Sequence, residues 1–268
     1  MSKFELTPLF SGSSGNSTLV RAGNKTILVD IGKSCKQLLL SLAEVNVDPT
    51  EIDAIFITHS HSDHIAGLDV FARKYPVEIY ATSEVHSFLL NHYPKAHPLS
   101  PSIIVSPGEN ISLSEDLVVT VCKTPHDSHG SVCYRFTFED KSMMVMTDLG
   151  YITDEIMDLA IGVDGILIES NYDSQMLVYG PYPMDLKARI AGRYGHLSND
   201  NCAEMVELLL RSGTRNFILG HLSENNNTKE KAYDTVTTYL DSKGYKIDED
   251  YHLIVAERHR PTKGLVFS

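Results

Sequence analysis

The stretch THSHSDH, residues 58–64, places three imidazoles and one carboxylate directly after the apolar run 52–57. Such side chains are costly to bury without a partner, so packing alone does not explain them at the end of a buried strand. Neutral imidazole nitrogens and carboxylate oxygens are ligands suited to zinc, manganese or iron. If the strand geometry continues, the first two histidines point the same way, whereas the aspartate and the last histidine fall in the next turn. The stretch therefore predicts two adjacent metal sites, with a merely histidine-rich surface loop as the alternative. The four candidate ligands are His59, His61, Asp63 and His64.

Three further candidate ligands stand where predicted strands end. His126 follows residues 117–125, Asp148 follows residues 142–147, and His221 follows residues 216–220. Active sites are commonly built from loops at one edge of a sheet, because the strands fix the positions of those loops. A carboxylate has two oxygens and can bridge two cations about 3.5–4 Å apart, so Asp148 is the candidate for a shared ligand.

Hydrophobic periodicity divides the chain into a strand-rich first part and a second part in which strands alternate with helices. The predicted strands are residues 4–10, 17–21, 26–30, 52–57, 77–81, 117–123, 132–138, 142–146, 165–168, 216–219 and 251–256. The predicted helices are residues 34–45, 66–75, 83–90, 184–192, 199–210 and 229–242, with Ser83 as the N-cap of the third. Two strand-rich sheets with helices outside each predict an α/β fold, a four-layer αβ/βα sandwich. We expect one domain over residues 1–268.

Composition limits the class of protein and its surroundings. The chain of 268 residues is 42% hydrophobic with a formal charge of −12, which argues against a general nucleic-acid binder but not against a local basic groove. The first ten residues do not resemble a signal peptide, and no apolar run approaches the ~20 residues that span a bilayer. We expect a soluble cytoplasmic protein with no membrane partner. Its four scattered cysteines, Cys35, Cys122, Cys133 and Cys202, are then reduced thiols.

The order of the candidate ligands along the chain resembles the metallo-β-lactamase superfamily. Within it, several softer motifs are similar to the WalJ/YycJ family. These motifs are FSGSSGNS at 10–17, TDLGY at 147–151, ESNYD at 169–173, GHLSN at 195–199 and GHLS at 220–223. The resemblance implies an αβ/βα sandwich with a dinuclear metal centre and a nuclease that acts on DNA from a 5′ end.

The resemblance also assigns the ligands of two divalent ions, Zn²⁺ or Mn²⁺. It places His59, His61 and His126 on one ion, Asp63, His64 and His221 on the other, and Asp148 between them. His129 is the rival of His126, and the family resemblance favours His126, because its spacing to Tyr134 matches that of the family. The alternative role of His129 is that of a solvent-facing loop residue.

A phosphodiester reaction also needs help at the leaving oxygen, and His196 in the GHLS segment is the candidate donor. Nucleases of the superfamily use a histidine in a similar segment, which supports this role. The alternative is that His196 only caps the helix that starts at Asn199. Asp63 is a second candidate catalytic residue, since a carboxylate can accept the proton of the attacking water in addition to binding a cation.

Four polar residues are candidates for contacts with a metal ligand or with the substrate. Glu169 ends a predicted strand and can accept the outer nitrogen of a metal-bound histidine. Asn171 follows it, and Ser13 and Asn16 belong to a Gly/Ser segment whose backbone N–H groups can hold a phosphate.

A local basic cluster is the candidate nucleic-acid contact on this acidic chain. Lys187, Arg189 and Arg193 lie on the predicted helix that leads to His196, and Tyr194 can stack on an exposed base. The alternative is a solvated helix face with tyrosines packed on the core.

These observations predict a metal-dependent phosphodiesterase, a 5′-to-3′ DNA exonuclease, with RNA as the other polynucleotide that the pattern allows. One alternative is a small-molecule hydrolase that cuts a thioester, a lactone or a cyclic phosphodiester. Another is a regulatory protein that binds a partner, because family members are often encoded beside a cell-wall two-component system. A basic, tyrosine-rich segment with His196 favours the nuclease, since a hydrolase of small esters has no need of it.

Overall fold

Two β-sheets carry the fold of the computed structural model, which describes residues 3–93 and 100–268. The strands in that part of the chain are β1 (Phe4–Phe10), β2 (Ser17–Ala22), β3 (Lys25–Val29), β4 (Ala54–Phe56), β5 (Glu78–Ala81), β6 (Ser102–Ile104), β7 (Asn110–Ser112), β8 (Leu117–Lys123), β9 (Val132–Phe138), β10 (Lys141–Met146), β11 (Gly165–Glu169), β12 (Asn216–Gly220), β13 (His252–Val255) and β14 (Leu265–Phe267). The α-helices there are α1 (Cys35–Glu44), α2 (Ser62–Ile65), α3 (Leu68–Lys74), α4 (Ser83–His92), α5 (Asp154–Ala160), α6 (Ser174–Tyr179), α7 (Met184–Ile190), α8 (Asn199–Arg211) and α9 (Lys229–Ser242). A short 3₁₀ turn spans Pro49–Glu51.

Both sheets are mixed. The first has the strand order β14-β1-β2-β3-β4-β5-β6 and the second the order β13-β12-β11-β10-β9-β8-β7 among the described residues. Strands β3 to β6 run parallel, as do β10 to β13, whereas the other neighbours are antiparallel. Since the carboxyl ends of parallel strands meet at one edge of a sheet, the loops after β3, β4, β10, β11 and β12 can form one site.

Alternation along the strands separates three hydrophobic layers. Phe56 faces Tyr134 and Phe136 of the other sheet, so the middle layer joins the two sheets. A second layer lies between the first sheet and helices α1, α3 and α4, and a third lies between the second sheet and helices α5, α8 and α9. The predicted four-layer αβ/βα sandwich of two mixed sheets is confirmed. A single domain over residues 1–268 stays a prediction.

Several predicted boundaries are wrong by a few residues. Helix α4 has Thr82 rather than Ser83 as its N-cap, and the Thr82 hydroxyl donates to the carbonyl oxygen of Gly130 instead of closing the first turn. Helix α7 ends at Ile190 rather than at Gly192, because the chain turns there and brings Gly195 against the Ile190 carbonyl. A Cβ at Gly195 would overlap that oxygen, so only glycine fits. No helix in the described part of the chain combines the length and apolar character needed to cross a bilayer.

Candidate metal centre

The loops at the carboxyl ends of strands from both sheets bring the predicted ligands together. The first sheet contributes residues after β4 and in α2, and the second contributes the residues that follow β8, β10 and β12. The side chains concerned are His59, His61, Asp63, His64, His126, Asp148 and His221. Since the ligand-type atoms come from both sheets, the centre lies at one rim of the interface between them.

Three histidines form the first cluster. His59, His61 and His126 place one ring nitrogen each within 4.8 Å of one another. The closest pair is His126 Nε2 and His61 Nδ1, 3.2 Å apart. His59 Nε2 is buried and has no hydrogen-bond partner among the described residues. An orphaned buried nitrogen that faces two other imidazoles fits a cation ligand.

One carboxylate and two histidines form the second cluster. Asp63 Oδ2 lies 3.5 Å from the Nε2 atoms of both His64 and His221. His221 Nε2 is likewise buried without a hydrogen-bond partner in the described part of the chain. This donor set of two nitrogens and an oxygen suits the same divalent cations as the first cluster.

Asp148 lies between the two clusters. Its Oδ1 is 3.7 Å from His126 Nε2 and 4.0 Å from His59 Nε2, whereas its Oδ2 is 3.2 Å from His64 Nε2. Oδ1 therefore faces the ligand nitrogens of the first cluster and Oδ2 faces the His64 nitrogen of the second, as a bridging carboxylate requires, and Oδ1 also lies 3.5 Å from His221 Nδ1, the nitrogen that Glu169 holds. Asp148 has a φ of 61° and His221 a φ of 54°. Left-handed backbone at non-glycine residues is strained and is found most often at functional sites. Together, the nitrogen and oxygen donors of the two clusters and Asp148 fit two divalent cations.

The outer nitrogens of the cluster histidines are also bonded, which fixes their orientation. His64 Nδ1 lies 2.7 Å from Asp30 Oδ2, and His126 Nδ1 donates to the carbonyl oxygen of Gly195 at 3.1 Å. His59 Nδ1 is 3.0 Å from the hydroxyl of Thr58, which itself donates to Asp30. The sequence analysis missed Asp30, although it shares the signal used for Asp148: a carboxylate directly after an apolar strand.

Glu169 holds two imidazoles at once. Its Oε1 lies 2.7 Å from His221 Nδ1 and 2.8 Å from His196 Nδ1, and its Oε2 accepts the backbone N–H groups of Leu149 and Leu197. Burial raises the pKa of Glu169, but the charges of His196 and His221 and their hydrogen bonds outweigh burial and lower this pKa to about 2. The carboxylate therefore stays ionised and orients both rings.

His196 lies beside the clusters without joining the predicted ligand set. Its Nδ1 is 3.8 Å from Asp148 Oδ1, and 19% of its side chain is exposed. Ser198, rather than His196, is the N-cap of α8, since the Ser198 hydroxyl accepts the backbone N–H of Asn201. The alternative role of His196 as a helix cap is therefore wrong. With Nδ1 held by Glu169, Nε2 is the nitrogen that remains for chemistry.

Asp127 borders the first cluster and was missed by the sequence analysis. Its Oδ1 lies 3.6 Å from His61 Nε2 and 3.5 Å from His126 Nε2, and its Oδ2 accepts from Arg189 Nε at 2.5 Å. Asp127 follows no strand, so only its adjacency to His126 could have pointed to it. Its position brings the Arg189 guanidinium to the edge of the centre.

The other predicted polar contacts divide into two groups. Asn16 Nδ2 is 3.1 Å from His64 Nε2 and 3.3 Å from Asp63 Oδ2, and Asn171 Nδ2 donates to the backbone oxygen of His221. Ser13 is exposed, and its hydroxyl accepts only the backbone N–H of Glu224 among the bonds that the described residues form. His129 is exposed and belongs to none of the ligand clusters in the described part of the chain.

The predicted nucleic-acid contacts lie on and after α7. Lys187 Nζ donates to the Val178 carbonyl oxygen of α6 at 2.7 Å. Arg193 lies beyond the end of α7, contrary to the prediction, and its guanidinium stacks on the Tyr151 ring at 4.6 Å. Tyr194 is 58% exposed. Of the three cations, Arg189 is the one that contacts a residue bordering the clusters.

Comparisons with known proteins agree with this geometry. A family model described as the metallo-beta-lactamase superfamily matches residues 11–221. The chain is 40% identical to the exodeoxyribonuclease WalJ of Streptococcus pneumoniae, over 88% of each protein. It is 34% identical to the exodeoxyribonuclease YycJ of Bacillus anthracis, over 95% of this chain and 96% of that protein. Among solved structures, the metallo-beta-lactamase fold protein YhfI from Bacillus subtilis aligns with a TM-score of 0.72 at 17% identity, over 98% of this chain and 99% of that one, which shows a shared fold.

Proposed function

This chain belongs to the metallo-β-lactamase superfamily, in the family of WalJ and YycJ, and we propose that it is a metal-dependent exodeoxyribonuclease that degrades DNA from the 5′ end. The observation that carries phosphodiester chemistry is His196, held by Glu169 beside Asp148, because a phosphodiester needs a donor at its leaving oxygen. The names of both relatives support DNA as the polymer. The 5′ polarity is the one that the family resemblance implies.

The first cluster and the second cluster would each hold one divalent cation, Zn²⁺ or Mn²⁺, with Asp148 shared between them. When bound, the two cations make hydroxide available near neutral pH and neutralise the charge that builds on the phosphate. Asp30 and Glu169 serve this arrangement from outside, since they hold the rings of His64 and His221.

His196 donates a proton to the leaving oxygen through Nε2. Its Nδ1 is bonded to Glu169, which fixes the ring in the way that an acidic residue orients a catalytic histidine. Asp63 would accept the proton of the attacking water through Oδ1, since its Oδ2 faces His64 and His221 as the ligand oxygen of the second cluster. A positioned acid or base of this kind contributes about 10²–10⁴-fold to a rate.

Arg189 is the proposed first contact for the DNA backbone. Its Nε is bonded to Asp127, so its other guanidinium N–H groups can hold phosphate oxygens at the edge of the first cluster. Lys187, Arg193 and Tyr194 extend this surface along α7 and the loop after it. At the second cluster, Asn16 donates towards Asp63, and the neighbouring Ser13 offers a hydroxyl to the same DNA strand.

The experiment uses protein of defined metal content with 5′- and 3′-labelled DNA and RNA, single- and double-stranded. We expect progressive loss of the 5′ label from DNA as mononucleotides, and no turnover by Asp148→Asn. Asp69→Asn is the matched control, because Asp69 pairs with Arg73 on α3. A fully metal-loaded protein that cleaves no phosphodiester but hydrolyses a thioester or a lactone would contradict the proposal, and loss of the 3′ label first would contradict the polarity.

A further inference from the structure

A cavity of about 740 Å³ lies beside the metal centre, between β8 and α5. Its walls include Thr120 and Lys123 of β8, Glu155 of α5, and the rings of Tyr151 and Tyr194. The volume falls within the roughly 300–1,000 Å³ of sites that hold small organic ligands. None of the proposed metal ligands is among the described residues that line this cavity, so it is a separate site.

The backbone joins this cavity to the centre over one or two residues. Pro125 lines the cavity and is followed at once by His126, and the Pro125 carbonyl oxygen accepts the backbone N–H of Gly150 at 3.0 Å. Tyr194 precedes His196 by two residues, and its carbonyl oxygen accepts the backbone N–H of Asp127. At about 3.8 Å per residue, the cavity wall lies within roughly 8 Å of both histidines along the chain. This separation is short enough for one nucleotide to contact both the centre and the cavity.

The lining has two carboxylates and one lysine, Lys123, and this net negative charge favours a flat, hydrogen-bonding heterocycle over a phosphate. Tyr194 has an exposed aromatic ring on which a base can stack. The Tyr151 ring is covered on one face by the Arg193 guanidinium, so Tyr194 is the candidate for stacking. The carboxylates of Glu155 and Asp158 repel a phosphate but accept hydrogen bonds from the N–H groups of a base. Aromatic rings are the platforms on which proteins stack unpaired bases.

We propose that this cavity binds one unpaired nucleobase of the DNA strand whose phosphodiester is at the centre, an inference that rests on the proposed function. A base within a duplex is stacked and paired, so it can enter a lateral cavity only after the strand end has frayed or has been flipped out. The protein then engages single-stranded or open ends, and the cavity sets which nucleotide of the strand lies at the scissile bond.

An abasic scan tests the cavity directly. Each of the first three nucleotides of a single-stranded 5′-labelled oligonucleotide is replaced in turn by an abasic site, and kcat/KM is measured for wild type and Tyr194→Ala. At one position we expect the abasic site to lower kcat/KM of the wild type by about 5- to 100-fold relative to the intact substrate, which is the stabilisation expected from one stacked base. The same abasic site should lower kcat/KM of Tyr194→Ala by less than about 2-fold. Tyr179→Ala is the matched control, because this tyrosine of α6 is 85% exposed and lies outside the cavity. In Tyr179→Ala, the abasic site should lower kcat/KM as much as it does in the wild type.

Equal losses in wild type and Tyr194→Ala, or no loss at any position, would overturn the proposal. If Tyr194→Ala does not fold, Thr120→Phe fills the cavity from β8 and should also abolish the difference between abasic and intact substrates. A wild-type protein that degrades no DNA would refute the proposed function but leave the cavity testable. The probe is then 2-aminopurine deoxynucleoside monophosphate, whose fluorescence should be quenched by wild type and not by Thr120→Phe. Absence of quenching by wild type would overturn the cavity as a base site.

Discussion

At the scale of single residues, Asp30 shows how a buried carboxylate can act on the centre without binding a cation. It follows β3 with a φ of 63° and accepts the backbone N–H and the hydroxyl of Thr58 at 2.8 and 2.7 Å. Its Oδ2 also lies 2.7 Å from His64 Nδ1. Burial raises the pKa of Asp30, and these contacts with His64 and Thr58 oppose that effect. Asp30 is therefore a positioning residue for His64.

Replacing Asp30 by Ala should weaken metal binding about 10- to 100-fold, because His64 loses the acceptor that fixes its ring. The measurement is a competition titration of the metal-free protein against a chromophoric chelator. Asp69→Ala, on the surface of α3, is the control and should bind metal like wild type. Unchanged affinity in Asp30→Ala would show that Thr58 and the fold orient His64 without the carboxylate.

Replacing His196 by Ala should leave the metal content intact and lower turnover on DNA about 10²–10⁴-fold. The reason is that the ring contacts Glu169 and lies 3.8 Å from Asp148 Oδ1 without belonging to the predicted ligand set. A nitrophenyl ester of a nucleotide needs no proton at its leaving oxygen, so the variant should recover most of the wild-type rate on that substrate. His129→Ala is the control, since that ring is exposed. Equal losses on both substrates would remove His196 from the proton transfer.

The sequence alone predicts the ligand-type residues of the two clusters, but not the carboxylates that surround them. The four ligand-type residues at 58–64 form a dense pattern that packing does not explain, and the side chains after β8, β10 and β12 repeat one arrangement. Asp30 and Asp127 are single carboxylates in sequence, and their roles depend on the neighbours that folding brings to them: Thr58 and His64 for one, His61 and Arg189 for the other. The place of Asp30 after an apolar strand and of Asp127 beside His126 could have marked them as candidates, but not which side chains they contact.

At the scale of elements, the long apolar strands were predicted well, and three of the four edge strands in the described part of the chain were missed, whereas the edge strand β13 was predicted as residues 251–256. The predicted bounds of β1, β8 and β9 equal the observed ones, because seven residues of alternating or continuous apolar character are a clear pattern. Strands β6, β7 and β14 have three residues each and lie at the edges of the sheets, where half of the side chains face water. Helices α5 and α6 were also missed, so short length alone does not decide the outcome: α3 and α7 have seven residues each and were predicted.

Helix α7 and the loop after it should account for much of the salt dependence of DNA binding. The triple variant Lys187→Ala, Arg189→Ala and Arg193→Ala should bind single-stranded DNA more weakly. Its slope of log K against log salt should become shallower by about 0.7 for each phosphate that the variant no longer neutralises. A matched triple, Lys36→Ala, Arg73→Ala and Lys74→Ala, removes the same charge from α1 and α3 on the other sheet. If both triples change the slope equally, the effect comes from net charge and the DNA-binding surface lies elsewhere.

At the scale of the whole molecule, the centre joins two sheets that otherwise meet through an apolar layer. The first sheet supplies His59, His61, Asp63 and His64, and the second supplies His126, Asp148 and His221. In the described part of the chain, buried His59 Nε2 and His221 Nε2 have no hydrogen-bond partner, which costs stability unless a ligand satisfies them. Cations at this position therefore act on the fold as well as on the reaction.

Removing the metal should lower the thermal stability of the whole protein, because a ligand that binds only the folded state stabilises it by mass action. At a free metal concentration of 100 times Kd, each of the two cations contributes about 2.7 kcal/mol, so the loss of both corresponds to roughly 10 °C in Tm for a chain of this size. The measurement is differential scanning calorimetry of metal-loaded protein with and without a chelator, with metal content determined in parallel. Asp148→Asn should show a much smaller difference, because an amide has one oxygen and no negative charge and cannot serve both clusters. Asp69→Asn should show the wild-type difference. An unchanged Tm after complete loss of metal from wild type would show that the apolar layer alone holds the sheets together and that the cations serve only the chemistry.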